Sequence, residues 1–175
     1  KEYESFFKKI EIGRPIFHYE GFESGPDDYS YFVDIMKDLI EKNSPCVFVG
    51  HGSAHPSNAV YGCLQSVLID KDYEDVFVGT VEGYPNFSNV LKKAKKKDIK
   101  EITIIPLMVV AGDHAKNDMA SDEEDSWKSR FESEGIKANV ILKGLGEYEE
   151  FGNLYIDRIY DVINGTYKGL GETKK

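Results

Sequence analysis

His51, Glu82 and His114 are the residues of this chain whose types and spacing most directly imply chemistry. Neutral imidazole nitrogen and carboxylate oxygen suit a divalent first-row transition metal. Two histidines with one carboxylate leave coordination positions open, as a site that transforms or hands on its ligand requires. The competing reading is plain: both histidines hydrogen-bond loop backbone and Glu82 is solvated.

Each of the three follows a segment that reads as a β-strand. His51 follows Cys46-Val47-Phe48-Val49-Gly50, and Glu82 follows Val76-Phe77-Val78-Gly79-Thr80-Val81. His114 follows Ile102-Thr103-Ile104-Ile105-Pro106-Leu107 after a short loop. The separations, 31 residues from 51 to 82 and 32 from 82 to 114, each match about one strand-helix-strand unit. Right-handed crossovers return parallel strands to the same edge. The trio is therefore expected at the carboxyl edge of one sheet, where open α/β sheets hold ligands.

The elements that must position these residues alternate along the chain. A helix capped by Asp27 and Asp28, with Tyr31, Phe32, Ile35, Met36 and Leu39 on its apolar face, ends at Asn43-Ser44-Pro45. Strands are expected over 46–50, 76–81, 101–107 and 137–142, and helices over 57–69, 87–97, 123–134 and 149–164. This predicts an α/β fold: an open, mainly parallel four-stranded sheet with helices on both faces. Residues 1–26 read as an N-terminal arm with a short helix over 1–9, residues 27–165 as the lobe, and 166–175 as a polar tail.

Composition narrows the function. The 175 residues are 41% hydrophobic and 13% aromatic, enough for a packed core. A net charge of −9 opposes general binding to nucleic acid or an anionic membrane, both of which need a basic footprint. No run approaches the roughly 18 apolar residues that span a bilayer. Cys46 and Cys63 form no CxxC pair and read as buried thiols, consistent with a reducing, cytoplasmic setting.

Other polar groups have blander readings. Gly52 and Pro56 make 51–56 a strand-to-helix turn, so His55 is expected beside the cleft rather than as a helical metal partner of His51. His18 reads as a surface histidine. Gly50-His51-Gly52-Ser53 lacks the lysine and glycine spacing of a P-loop, which argues against a nucleotide, and no G-x-S-x-G elbow makes Ser53 a nucleophile. Asp122-Glu123-Glu124-Asp125 reads as the first turn of a helix capped by Ser121. Lys92, Lys93 and Lys95–Lys97 read as a wet helix end.

Several of these segments carry a family resemblance. Val49-Gly50-His51-Gly52-Ser53, Asn58-Ala59-Val60-Tyr61 and Gly79-Thr80-Val81-Glu82-Gly83-Tyr84-Pro85 are the first. Pro106-Leu107-Met108-Val109-Val110-Ala111-Gly112-Asp113-His114-Ala115-Lys116-Asn117-Asp118-Met119-Ala120, Asp125-Ser126-Trp127-Lys128 and Gly144-Leu145-Gly146-Glu147 complete them. Over about residues 46–165 the chain resembles the anaerobic-type sirohydrochlorin cobaltochelatases, class II tetrapyrrole chelatases. The resemblance implies a flavodoxin- or chelatase-like lobe in which His51, Glu82 and His114 bind the incoming metal. It implies insertion of Co²⁺ into sirohydrochlorin, a cobalamin precursor, without ATP and with no nucleotide. It also implies a second lobe: a preceding one of which 1–26 is the end, or another copy of the chain.

Beside that resemblance, Gly52, Ser53, Gly83 and Tyr84 are expected to receive tetrapyrrole carboxylates through backbone amides, with Tyr84 and Met108 against the ring face. An imidazole can both anchor the metal and take a pyrrole proton near neutral pH. Ni²⁺, Fe²⁺ or Zn²⁺ remain alternatives to Co²⁺, because N/O donors discriminate weakly. Two other functions stay open: a non-catalytic metal- or tetrapyrrole-binding lobe that needs a partner chain, and a flavodoxin-like regulatory domain without metal.

Overall fold

The computed structural model describes residues 3–19, 21 and 25–166. Four parallel strands, β1 (Cys46–Gly50), β2 (Val76–Thr80), β3 (Glu101–Pro106) and β4 (Lys137–Val140), form one sheet in the order β2-β1-β3-β4. Six α-helices are present among the described residues: α1 (Asp28–Ile35), α2 (Lys37–Asn43), α3 (Ala59–Asp70), α4 (Phe87–Lys96), α5 (Trp127–Ser133) and α6 (Glu149–Ile163). The expected open sheet with helices on both faces is what forms.

Strand alternation sorts the core into two layers. Cys46, Phe48, Val76, Val78 and Ile105 point to one face and pack with residues of α1, α2, α3 and α6. Val47, Val49, Phe77, Ile102 and Ile104 point to the other and meet α4, α5 and the turn before α5. Successive Cβ atoms leave a strand on opposite sides, so a strand apolar at every position must be covered twice. The chain moves from β1 outward to β2, then jumps back across β1 to β3. That reversal makes the carboxyl edge between β1 and β3 the switch point of the sheet, where a crevice opens.

Three local expectations are corrected. The helix expected to begin near 123 begins at Trp127: Ser126 accepts from the Ser129 amide at 3.1 Å and is the cap, while Asp122 pairs with Lys128 at 2.6 Å. A fully buried Ser126 hydroxyl, which also donates to the Ser121 carbonyl at 2.6 Å, outcompetes the half-buried Ser121 as initiator. The first helix bends at Met36, and its buried face is Tyr29, Phe32, Val33, Met36 and Ile40, with Tyr31 turned outward. Of the helix expected over 1–9, residues 1–2 lie outside the described residues and 3–9 hold a single 3₁₀ turn, Glu4–Phe6, because a short segment without a packing face does not repay helix nucleation.

The segment before α1 is extended but fastened to the lobe. Phe17 stacks on Tyr29 with ring centroids 5.0 Å apart and meets Phe32 edge-on. Buried Arg14 and Arg158 both donate to Asp28 Oδ1, while Asp28 Oδ2 accepts from the Tyr19 amide at 2.9 Å. The polar tail lies, from residue 167, outside the described residues.

Candidate metal-handling site

Two backbone relationships bring the first two site residues together. Beyond the strand ends, the Val81 amide donates to the Gly50 carbonyl at 3.0 Å and the Glu82 amide to the His51 carbonyl at 2.7 Å. The β1–β2 ladder thus runs on until it reaches the functional side chains. Gly52, at φ +84°, lets the chain turn there, and any Cβ would lie 2.8 Å from the Gly83 nitrogen and from Thr80 Cβ.

His114 arrives from the other neighbour of β1. The Leu107 amide donates to the Val49 carbonyl at 2.8 Å, so the loop after β3 leaves from beside β1. The segment after β4 then braces that loop: Leu145 and Gly146 amides donate to the Met108 and Val109 carbonyls at 2.8 and 2.9 Å. His114 precedes a π-helical turn, Ala115–Met119, anchored by buried Ala115 and Met119. Such turns are rare and concentrate at functional sites.

The result is a close imidazole pair. His51 Nε2 and His114 Nε2 are 3.1 Å apart, with the rings nearly perpendicular at 86°. Bare lone pairs repel at that separation, so something positive belongs between them: a shared proton or a cation. Two imidazole nitrogens each bound to one tetrahedral first-row ion stand about 3.3 Å apart, from bond lengths of about 2.0–2.1 Å. The pair is within a few tenths of an ångström of a bidentate metal clamp.

Glu82 approaches from a different side. Its Oε2 is 3.9 Å from His51 Nδ1, the nitrogen that also lies 2.9 Å from the Gly52 carbonyl. A single ring cannot offer both nitrogens to one ion. Among the described residues no three His, Cys, Asp or Glu side chains already stand around a common point. Completing a three-donor set requires the Glu82 side chain, which is 61% exposed, to swing towards the Nε2 pair.

The remaining expected residues are distributed as follows. The Gly52 amide donates to Tyr61 Oη at 3.2 Å and the Ser53 amide to Asn58 Oδ1 at 2.9 Å, so both are already engaged. Gly83 is packed under Asn58, with any Cβ 2.5 Å from its Oδ1. Tyr84 is 67% exposed beside the site, whereas Met108 is partly buried against the α4–α5 layer. His55 Nδ1 accepts from the Ser57 amide at 3.1 Å and caps the 3₁₀ turn before α3, away from any helical pairing with His51. His18 is exposed, as expected.

Sequence reasoning missed three residues that organise the site. Asn58 joins the two loops, holding the Ser53 amide and donating to the Tyr84 carbonyl at 2.6 Å. Tyr61 lies so close under Gly50 that a Cβ would meet its ring, and it supports the His51 turn. Asp118 Oδ2 is 2.6 Å from His114 Nδ1. The i,i+4 spacing of His114 and Asp118 was a readable signal for that pair; nothing local signalled the roles of Asn58 or Tyr61.

The chain is similar to several known proteins. The model of the family described as cobalt chelatase (CbiK) matches residues 1–164. A sirohydrochlorin cobaltochelatase of Salmonella typhimurium is 32% identical over 170 residues, covering 93% of this chain and 64% of that protein. The sirohydrochlorin cobaltochelatase CbiKC of Nitratidesulfovibrio vulgaris is 34% identical over 118 residues, covering 67% of this chain and 42% of that protein. The chain thus spans less than two thirds of the length of these relatives. A shorter sirohydrochlorin cobaltochelatase, from Saccharolobus solfataricus, is 26% identical over 125 residues that make up 97% of it. In fold, the chain is similar to a putative cobalamin biosynthesis CbiX protein from Marinobacter aquaeolei, with a TM-score of 0.53 at 18% identity over 69% of this chain and 97% of that one.

Proposed function

The chain belongs to the cobalt chelatase (CbiK) family, and on that premise we propose that it is the metal-handling lobe of an enzyme that inserts Co²⁺ into sirohydrochlorin. The observation that carries this reading is the 3.1 Å approach of His51 Nε2 to His114 Nε2 at the switch point of the sheet. Imidazole nitrogens so spaced bind a first-row divalent ion and leave its other positions open for the incoming ring.

The chemistry follows from charge balance. A tetrapyrrole releases two N–H protons as a divalent ion enters, so the site must deliver a cation and accept protons. His51 and His114 hold the substrate Co²⁺ beside the macrocycle, and Glu82 swings in as the third donor. As the pyrrole nitrogens take over the ion, the freed imidazoles and the Glu82 carboxylate accept the departing protons. No step requires a nucleotide. With the Gly52 and Ser53 amides engaged, Tyr84 is the expected ligand residue most open to lie on the ring face.

The opposite wall of the cleft comes from a second lobe, either encoded upstream or supplied by another copy of the chain. The span of 64% of the Salmonella relative supports a second lobe in the same polypeptide; the match to nearly all of the shorter Saccharolobus relative supports a second copy. The same observations favour one alternative, a lobe that binds Co²⁺ or the tetrapyrrole but turns over only with its partner.

The test is to incubate the purified chain, alone and as the full-length gene product, with sirohydrochlorin and Co²⁺, Ni²⁺ or Fe²⁺, following the tetrapyrrole absorbance. Cobalt insertion by either sample supports the chelatase. Co²⁺ binding without insertion in both supports the binding lobe. Neither binding nor insertion would sink both readings.

A further inference from the structure

We propose that Asp118 is a positioning residue that fixes the tautomer and aim of His114. The inference rests on the proposed role of His114 as a metal donor. Asp118 Oδ2 lies 2.6 Å from His114 Nδ1, a short charge-assisted contact across four residues. In a π turn, closed by i→i+5 hydrogen bonds, side chains four apart lie nearly in line along the axis. The turn Ala115–Met119 therefore stacks the carboxylate behind the ring, on the side away from His51.

The consequence is a matter of donors and acceptors. A carboxylate at Nδ1 requires that nitrogen to carry hydrogen, and in a neutral ring this leaves Nε2 with its lone pair. Nε2 is the atom that faces His51. Without Asp118 the ring would distribute its proton between both nitrogens and rotate about its side-chain bonds, since half of it is open to solvent. Buried Ala115 and Met119 hold the backbone of the turn, so Asp118 is not needed for the fold of the segment. Its carboxylate is spent on orientation. Partners that orient a metal-binding histidine in this way typically contribute 10- to 100-fold in metal affinity.

The test uses the whole chain. Long-range ¹H–¹⁵N NMR of the metal-free protein reads the His114 tautomer, and calorimetry reads Co²⁺ affinity. In the wild type we expect the His114 proton on Nδ1. Asp118→Ala should move it towards Nε2 and weaken Co²⁺ binding by about 10- to 100-fold. Asp118→Asn keeps an acceptor oxygen, and should preserve the tautomer and recover most of the affinity. A wild-type His114 without a proton on Nδ1, or an unchanged tautomer in Asp118→Ala, overturns the proposal. If Asp118→Ala does not fold, the wild-type tautomer and the Asp118→Asn variant decide. A tautomer shift in a chain whose Co²⁺ affinity also ignores His114→Ala would leave Asp118 as the positioning residue and refute the metal-site reading instead.

Discussion

The Glu82 amide donates to the His51 carbonyl at 2.7 Å, so the two residues are backbone neighbours although 31 positions separate them in sequence. Their separation is therefore set by a backbone bond just beyond the end of the β1–β2 ladder. The side chains are another matter: Glu82 faces Nδ1 of His51, and His114 faces Nε2.

That asymmetry ranks the three donors. His51→Ala and His114→Ala each break the Nε2 pair and should abolish measurable Co²⁺ binding. Glu82→Gln should weaken it by only about tenfold, the effect of roughly 1–2 kcal/mol expected when an exposed carboxylate leaves a nearby divalent ion. Calorimetric titration of the three variants measures this order, and equal losses in all three would mean that Glu82 already shares the ion with both rings.

Asn58→Ala should loosen the tie between the His51 and Glu82 loops. It removes hydrogen bonds of 2.9 and 2.6 Å to the Ser53 amide and the Tyr84 carbonyl, for an expected loss of about 1–2 kcal/mol in urea unfolding. Co²⁺ affinity should fall as well. An unaltered affinity would show that the β1–β2 ladder alone holds the site.

Asp28→Ala should be destabilising, by about 3 kcal/mol, because it removes the buried carboxylate that Arg14 and Arg158 both bind and leaves Asp161, 3.0 Å from Arg14 Nε, to balance the two guanidinium groups. Thermal and denaturant unfolding measure the loss. Since Asp28 also accepts from the Tyr19 amide, proteolysis within residues 10–19 should accelerate in the same variant.

Burial pushes the Cys46 thiol from 9.0 up to about 12. Between those values the unfolded chain gives up a proton that the folded chain keeps, so stability attributable to Cys46 is intact below about pH 9 and declines as pH rises towards 12. At pH 8 Cys46 should resist alkylation until the protein unfolds, read by mass spectrometry with and without denaturant. Rapid modification of the native protein would contradict its burial in β1.

What the sequence by itself determined is the frame and the shared edge. Strands such as Cys46–Gly50 are apolar at every position, and regular strand-helix spacing dictates a parallel sheet covered on both sides. A crossover returns each strand to the same edge, so His51, Glu82 and His114 had to come near one another. Local periodicity suffices for such conclusions, because burial and handedness act within each unit. Caps were less legible: Ser121 and Ser126 differ in burial, and burial is not written in either residue. Only the tertiary structure decided which nitrogen of each imidazole meets which partner, and that Asn58 occupies the Ser53 amide while Tyr61 takes that of Gly52. Those choices depend on side-chain rotamers and on contacts across as many as 63 residues, as between His51 and His114, where no sequence period reaches.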